Sequence, residues 1–182
     1  MKASVYIATS LDGFIAREDG GLDWLPGAQG GDSGEEGGED YGFQEFRDSV
    51  DVLVMGRNTY ETVLSFGQWQ YGSKRVLVLT SRPIQIPAGL AGTVDSRSCS
   101  PAELVKELSE SGVGHIYVDG GKTIQGFLDA DLIDEIIITT IPVLIGAGIP
   151  LFGPLTKDKR LAHVETQSFD NGMVRSKYTV IK

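Results

Sequence analysis

Cysteine is all but absent from this chain. Cys99 stands alone, so neither an intramolecular disulfide framework nor a cysteine-cluster metal site can form. It lies in a polar stretch, SRSCSP, with no evident histidine partner, which argues against a catalytic thiol. Histidine is equally scarce. His115 opens an apolar run and His163 lies near the tail, with no further ligand at metal spacing, so no metal site is expected. Basic residues are outnumbered, 16 Lys and Arg against 25 Asp and Glu, for a formal net charge of −9. That balance disfavours nonspecific binding to nucleic acid or to an anionic membrane, while leaving room for a local basic site. Long apolar runs are missing too. Met1–Ile7 lacks a core of signal-peptide length and nothing reads as a membrane span, so a cytoplasmic location is expected. No internal repeat is present. The one stretch without apolar periodicity, Pro26 to Gly42, is rich in Gly, Asp, Glu and Ser and is expected to be a mobile surface loop. The 182 residues are thus expected to form a single domain with a sizeable core.

What is present is an alternation of apolar strands and amphipathic helices. Strands are expected at Ala3–Ala8, Val50–Met55, Arg75–Thr80, Ile116–Val118 and Glu135–Ile141, with a turn-like Asp-Gly and short apolar run at Leu11–Ala16. Helices are expected at Tyr41–Ser49, where Phe43 and Phe46 share a face, at Arg57–Leu64 and at Thr123–Leu128. Another opens at Ser100, with Pro101 at its first position and Glu103 completing a capping box, and ends near Gly112. Ala162–Phe169 and Val174–Ile181 read as a hairpin about Asp170-Asn171-Gly172. Strands separated by helices imply an α/β fold, a mostly parallel sheet covered on both faces, with the terminal hairpin as an antiparallel edge.

Three strand ends carry sharp polar turns: Gly56-Arg57-Asn58-Thr59, Thr80-Ser81-Arg82-Pro83 and Gly120-Gly121-Lys122-Thr123. In an open α/β sheet, ligands sit beyond the carboxyl ends of the strands, so the three turns are expected to converge on one crevice. Each offers backbone N–H groups, hydroxyls and a cation, as a phosphate requires. The Gly120-Gly121 pair is expected to let the backbone approach a phosphate closely.

These motifs carry a resemblance. Ala8–Ile15 (ATSLDGFI), Val118–Gly121 (VDGG) and Asp131–Gly148 (DLIDEIIITTIPVLIGAG) resemble the reductase domain of the bacterial riboflavin-pathway deaminase-reductase, within the dihydrofolate reductase superfamily. Met55–Glu61 (MGRNTYE) and Leu79–Pro83 (LTSRP) are closer to dihydrofolate reductase itself. The resemblance covers essentially the whole chain. It implies a three-layer α/β/α dihydrofolate reductase-like fold, NADPH as cofactor and a homodimer. It further implies that Ala8 and Ile15 flank the nicotinamide, and that Gly56, Arg57, Asn58 and Thr59 hold the pyrophosphate. Ser81 and Arg82 would meet the adenosine ribose and its 2′-phosphate, and Gly120, Gly121, Lys122 and Thr123 the remaining phosphate and ribose.

Two departures bear on the substrate. The family's Ala-Asp-Asp-Pro segment is replaced by TVLSFGQW (Thr62–Trp69), and because the reductase motif begins almost at Met1 no deaminase half is expected. Dihydrofolate reductases bind the pterin through a carboxylate on the helix before the MGR strand. Asp40 falls nearest that place, but in the acidic loop it reads more readily as one solvated acid among Glu35, Glu36 and Glu39. Asp12 is a candidate substrate contact or an Asx turn with Gly13. Thr139 is a candidate pocket hydroxyl or a β-branched strand former. Trp24 caps the pocket or packs the surface. The expected activity is NADPH-dependent hydride transfer to a heterocycle or ribosylamine, as in 5-amino-6-(5-phosphoribosylamino)uracil reductase. A dihydrofolate reductase-like pteridine reductase and a nucleotide-binding protein without turnover are the alternatives. The apolar loop beyond Pro142, with Val143, Leu144, Ile145 and Ile149, is expected to meet a second copy.

Overall fold

A computed structural model describes residues 1–26 and 40–182. Most of the expected loop from Pro26 to Gly42 lies outside the described residues. In chain order the elements are β1 (Lys2–Ser10), β2 (Phe14–Ala16), α1 (Phe43–Ser49), β3 (Val52–Gly56), α2 (Arg57–Ser65), β4 (Arg75–Leu79), β5 (Val94–Arg97), α3 (Pro101–Glu110), β6 (His115–Asp119), α4 (Gly121–Asp129), β7 (Glu135–Ile141), β8 (Ile149–Pro150), β9 (Arg160–Ser168) and β10 (Val174–Ile181).

Eight strands form one sheet in the order β5-β4-β3-β6-β1-β7-β10-β9. The first six are parallel, and β10 and β9 close the far edge antiparallel. The apolar runs are continuous because these strands are covered on both faces. Side chains alternate between two cores. Val5, Val52, Val54, Ile116, Val118 and Ile136 meet Leu104 and Leu108 of α3 and Ile124 and Phe127 of α4. Tyr6, Leu53, Met55, Val76, Tyr117 and Ile137 meet Phe46 of α1 and Tyr60 and Val63 of α2. The chain is therefore an α/β/α sandwich of the dihydrofolate reductase type, as expected.

Helix α3 carries its capping box in full: the Ser100 hydroxyl accepts from the Glu103 amide, and the Glu103 carboxylate accepts from the Ser100 amide at 2.8 Å. The hairpin turn is closed by Gly172 N–H donating to the Phe169 carbonyl at 2.9 Å. Two elements escaped the sequence. β5 buries only Val94, so its VDSR has no apolar signature. β8 is two residues long and exists only by pairing with β2.

Candidate functional site

The parallel register brings the carboxyl ends of the central strands to one edge. Gly56 lies opposite Leu79, Met55 opposite Asp119, and Ala8 opposite Thr139. Helix α2 begins directly after β3, and α4 within two residues of the end of β6. Both helix starts lack a side-chain cap, in contrast to α3, so no capping side chain occupies their first-turn amides. The two turns interlock. A Cβ at Gly56 would stand 2.9 Å from Thr123 Oγ1, and the corresponding place at Gly120 is filled by Thr59 Oγ1. Each turn thus holds a glycine where the other's threonine reaches across. Gly120 also adopts φ 88°, a conformation open to glycine. Arg57 flanks this notch, 3.7 Å from Glu61, and Lys122 is exposed beside it. Asn58 is exposed on the first turn of α2.

Gly121 plays a different part from the one expected. Its Cα faces protein: a Cβ there would stand 2.9 Å from Ile15 Cδ1 and 3.4 Å from the Pro150 carbonyl. The residue is glycine because β2 and β8 pack over it. The backbone's close approach at the notch belongs to Gly56 and Gly120.

Beyond β4 and β5 an open cleft of about 470 Å³ is lined by Leu79, Thr80, Ser81, Ser98 and Cys99. Thr80 shapes its rim, accepting from the Arg82 amide and donating to the Arg82 carbonyl, both at 3.0 Å. Ser81 and Arg82 are exposed at the cleft mouth. Cys99 sits among acids, and burial with Glu107 and Glu103 pushes its thiol up, away from reactivity.

Two expected site residues are structural. Asp12 spends its carboxylate on the Ile145 amide at 3.3 Å and the Gly146 amide at 2.8 Å, tying the loop after β7 to the loop after β1. It makes no Asx turn with Gly13, since the Gly13 amide donates to the Ser10 carbonyl. Asp40 accepts from the Gly42 and Gln44 amides, each at 2.9 Å, and so caps the start of α1. It is exposed, and those amides hold its carboxyl below the usual range. It is not a pterin-binding carboxylate on the face of a helix.

Thr139 is 5% exposed, and its hydroxyl has no hydrogen-bond partner among the described residues. The indole N–H of Trp24 is likewise buried and unpartnered.

The residue missed from the sequence is Asp119. It ends β6 on the α1/α2 side of the sheet and accepts from the Gly120 amide at 2.8 Å. Burial pushes its carboxyl up to about 6, against the lowering influence of that amide and of the Tyr117 and Tyr71 hydroxyls. An acid closing an apolar strand immediately before two glycines was the signal available. Among the described residues no group of three or more His, Cys, Asp or Glu side chains could hold a metal, and no helix is long and apolar enough to cross a membrane.

Comparison with known proteins agrees with this geometry. The uncharacterized protein YwjB of Bacillus subtilis (strain 168) is 37% identical over 170 residues, covering 92% of each chain. A protein of Shewanella sp. PV-4 named for riboflavin biosynthesis superposes with a TM-score of 0.90 at 38% identity over 100% of both chains. A deaminase/5-amino-6-(5-phosphoribosylamino)uracil reductase of Thermotoga maritima shares the fold, with a TM-score of 0.72 at 15% identity, over 99% of this chain and 56% of that one. The RibD C-terminal domain profile matches residues 2–175, from β1 to the hairpin, so the chain belongs to the RibD C-terminal domain family.

Proposed function

We propose that the protein is an NADPH-dependent reductase acting on a small heterocycle or ribosylamine, related to the riboflavin-pathway reductases. The observation that carries this reading is the pair of uncapped helix starts interlocked through Thr59 and Thr123, with a cleft lined by Thr80 and Ser81 at the end of β4, the strand next to β3. Family membership supports it. Bound NADPH would supply the hydride. Arg57, Lys122 and the amides of α2 and α4 would hold the pyrophosphate, and Ser81 and Arg82 the phosphorylated ribose. Ala8 leaves clear floor on β1 for the nicotinamide, and Ile15 excludes water from its edge. Asp119 would hold the proton that the reduced centre must receive, since a carboxyl with a pKa of about 6 is still partly protonated near neutrality.

The departure at Thr62–Trp69 bears on the substrate. Trp69 packs against Tyr60 and Tyr71 there, an aromatic wall in place of the family's polar segment. A pteridine reductase of the dihydrofolate type is disfavoured, since Asp40 is committed to capping. Calorimetric titration with NADPH, followed by absorbance at the nicotinamide band with a panel of pteridines and aminopyrimidines, tests the reading. Micromolar NADPH binding with oxidation by one member of the panel is expected. Binding without any oxidation would leave a nucleotide-binding protein, and no binding would overturn the reading.

A further inference from the structure

On the α1/α2 side of the sheet one row runs across four strands: Ala8 on β1, Thr139 on β7, Arg175 on β10 and Gln167 on β9. The row adjoins Tyr6, two residues before Ala8 on the same face. Its polar groups are nearly all donors. The Tyr6 hydroxyl and Arg175 Nη1 both donate to the Tyr41 carbonyl, and Arg175 Nη2 donates to Gln167 Oε1 at 2.9 Å. The half-buried guanidinium has no carboxylate partner among the described residues. Asp40 feels its charge, but its oxygens serve the Gly42 and Gln44 amides. Beside it the Thr139 hydroxyl is buried with no partner at hydrogen-bond distance among the described residues, though it lies near enough to the Tyr6 phenol to oppose, with Arg175, the raising of that phenol's pKa by burial. A buried hydroxyl without a partner is costly, and a guanidinium facing only neutral acceptors retains most of its capacity for an anion.

We propose that Thr139 and Arg175 form a subsite for an oxygen anion of the substrate, either a carboxylate or an ionised ring oxygen. The ligand's description as a substrate rests on the reductase reading; the binding does not. A donor-rich corner of this kind suits an oxygen-bearing pyrimidine edge and not the amino-rich edge of a pterin, which calls for an acceptor.

The test is calorimetry on the full chain with orotate, uracil and 2,4-diaminopyrimidine, with an NADPH titration of the same samples. Orotate is expected to bind. Arg175→Gln should weaken it roughly ten- to a hundredfold, and Thr139→Val several-fold, as loss of charge-assisted and neutral hydrogen bonds predicts. Arg175→Lys should restore part of the loss. Loss for orotate alone assigns the carboxylate, and parallel loss for uracil assigns the ring oxygen; both support the subsite. Unchanged affinity in a folded Arg175→Gln, tighter binding of 2,4-diaminopyrimidine than of orotate, or no orotate binding by the wild-type chain overturns it. NADPH binding lost or absent while the orotate pattern holds would count against the reductase reading alone.

Discussion

Arg82 is exposed at the mouth of the cleft beyond β4, and Thr80 fixes the turn that presents it. A guanidinium so placed adds a charge-assisted contact to a ribose phosphate and nothing to a ribose hydroxyl pair. Arg82→Ala should therefore weaken NADPH by about 1.5–3 kcal/mol, roughly ten- to a hundredfold, and leave NADH nearly unchanged. Equal losses in calorimetry would sink the assignment. Asp119 makes a second prediction. Its carboxyl is held near 6, so turnover that uses its proton should fall as pH rises through about 6. Asp119→Asn should remove that limb of the pH profile and lower turnover by roughly 10²–10⁴-fold. The same substitution should stabilise the fold. A carboxyl whose folded pKa lies above its unfolded value weakens folding progressively as pH rises from the unfolded pKa to the folded one, and in full above it; the amide escapes this, by about 1–3 kcal/mol near neutrality. A variant with a wild-type pH profile would show that the proton comes from elsewhere.

Two elements matter most: the start of α4 and the amino end of the sheet. Because Gly121 is packed under Ile15 and Pro150, Gly121→Val should push β2 and β8 away and tilt the first turn of α4. Cofactor affinity is expected to be lost with the fold retained, as circular dichroism would show; unchanged NADPH affinity in the folded variant would place the phosphate site away from α4. At the other end of the strands, His115 bonds Ser4 Oγ at 2.8 Å and the Ser49 carbonyl at 3.0 Å. Burial holds its pKa below the ordinary value. The folded state therefore binds fewer protons here than the unfolded chain, and stability should decline as pH falls below about 6.5. Burial also opposes the charge on Glu135, but Lys2 and Lys177 outweigh it and hold that carboxyl below its usual range, so its contribution fades only in stronger acid. Urea unfolding at pH 7.5 and 5.5 should show a smaller drop for His115→Gln than for the wild-type chain. A drop of the same size in both would remove His115 as the cause.

At the scale of the molecule, Leu11 (63% exposed) and Leu144 (68%) project from loops held together by the Leu11 amide on the Val143 carbonyl and by Asp12. Ile149 and Phe152 are exposed in the same stretch after β7. A second copy is the cover we propose for this face, giving a homodimer. Light scattering at micromolar concentration should return about twice 19.6 kDa, and Leu144→Lys should return the monomer. Val164→Lys, on the exposed edge strand β9, should leave the dimer intact; the reverse pattern would move the interface to that edge.

The chain's own pattern determined most of the architecture. Apolar runs too continuous for a half-exposed strand called for a covered parallel sheet, and the Ser100–Glu103 box and the Asp170-Asn171-Gly172 turn are local devices that need no distant partner. The three polar turns were legible for the same reason, since each is a strand end, and two of them run at once into a helix start. Tertiary structure decided what depends on neighbours remote in sequence. Asp12 is committed to amides more than 130 residues away, so its carboxylate could not be read as an anchor. Gly121 is glycine because of Ile15 and Pro150, which only the β2–β8 pairing brings over it. Asp119 has its raised pKa because the fold buries it beside Tyr71 and Tyr117, and burial is a property of the assembled layers, which spacing along the chain does not specify.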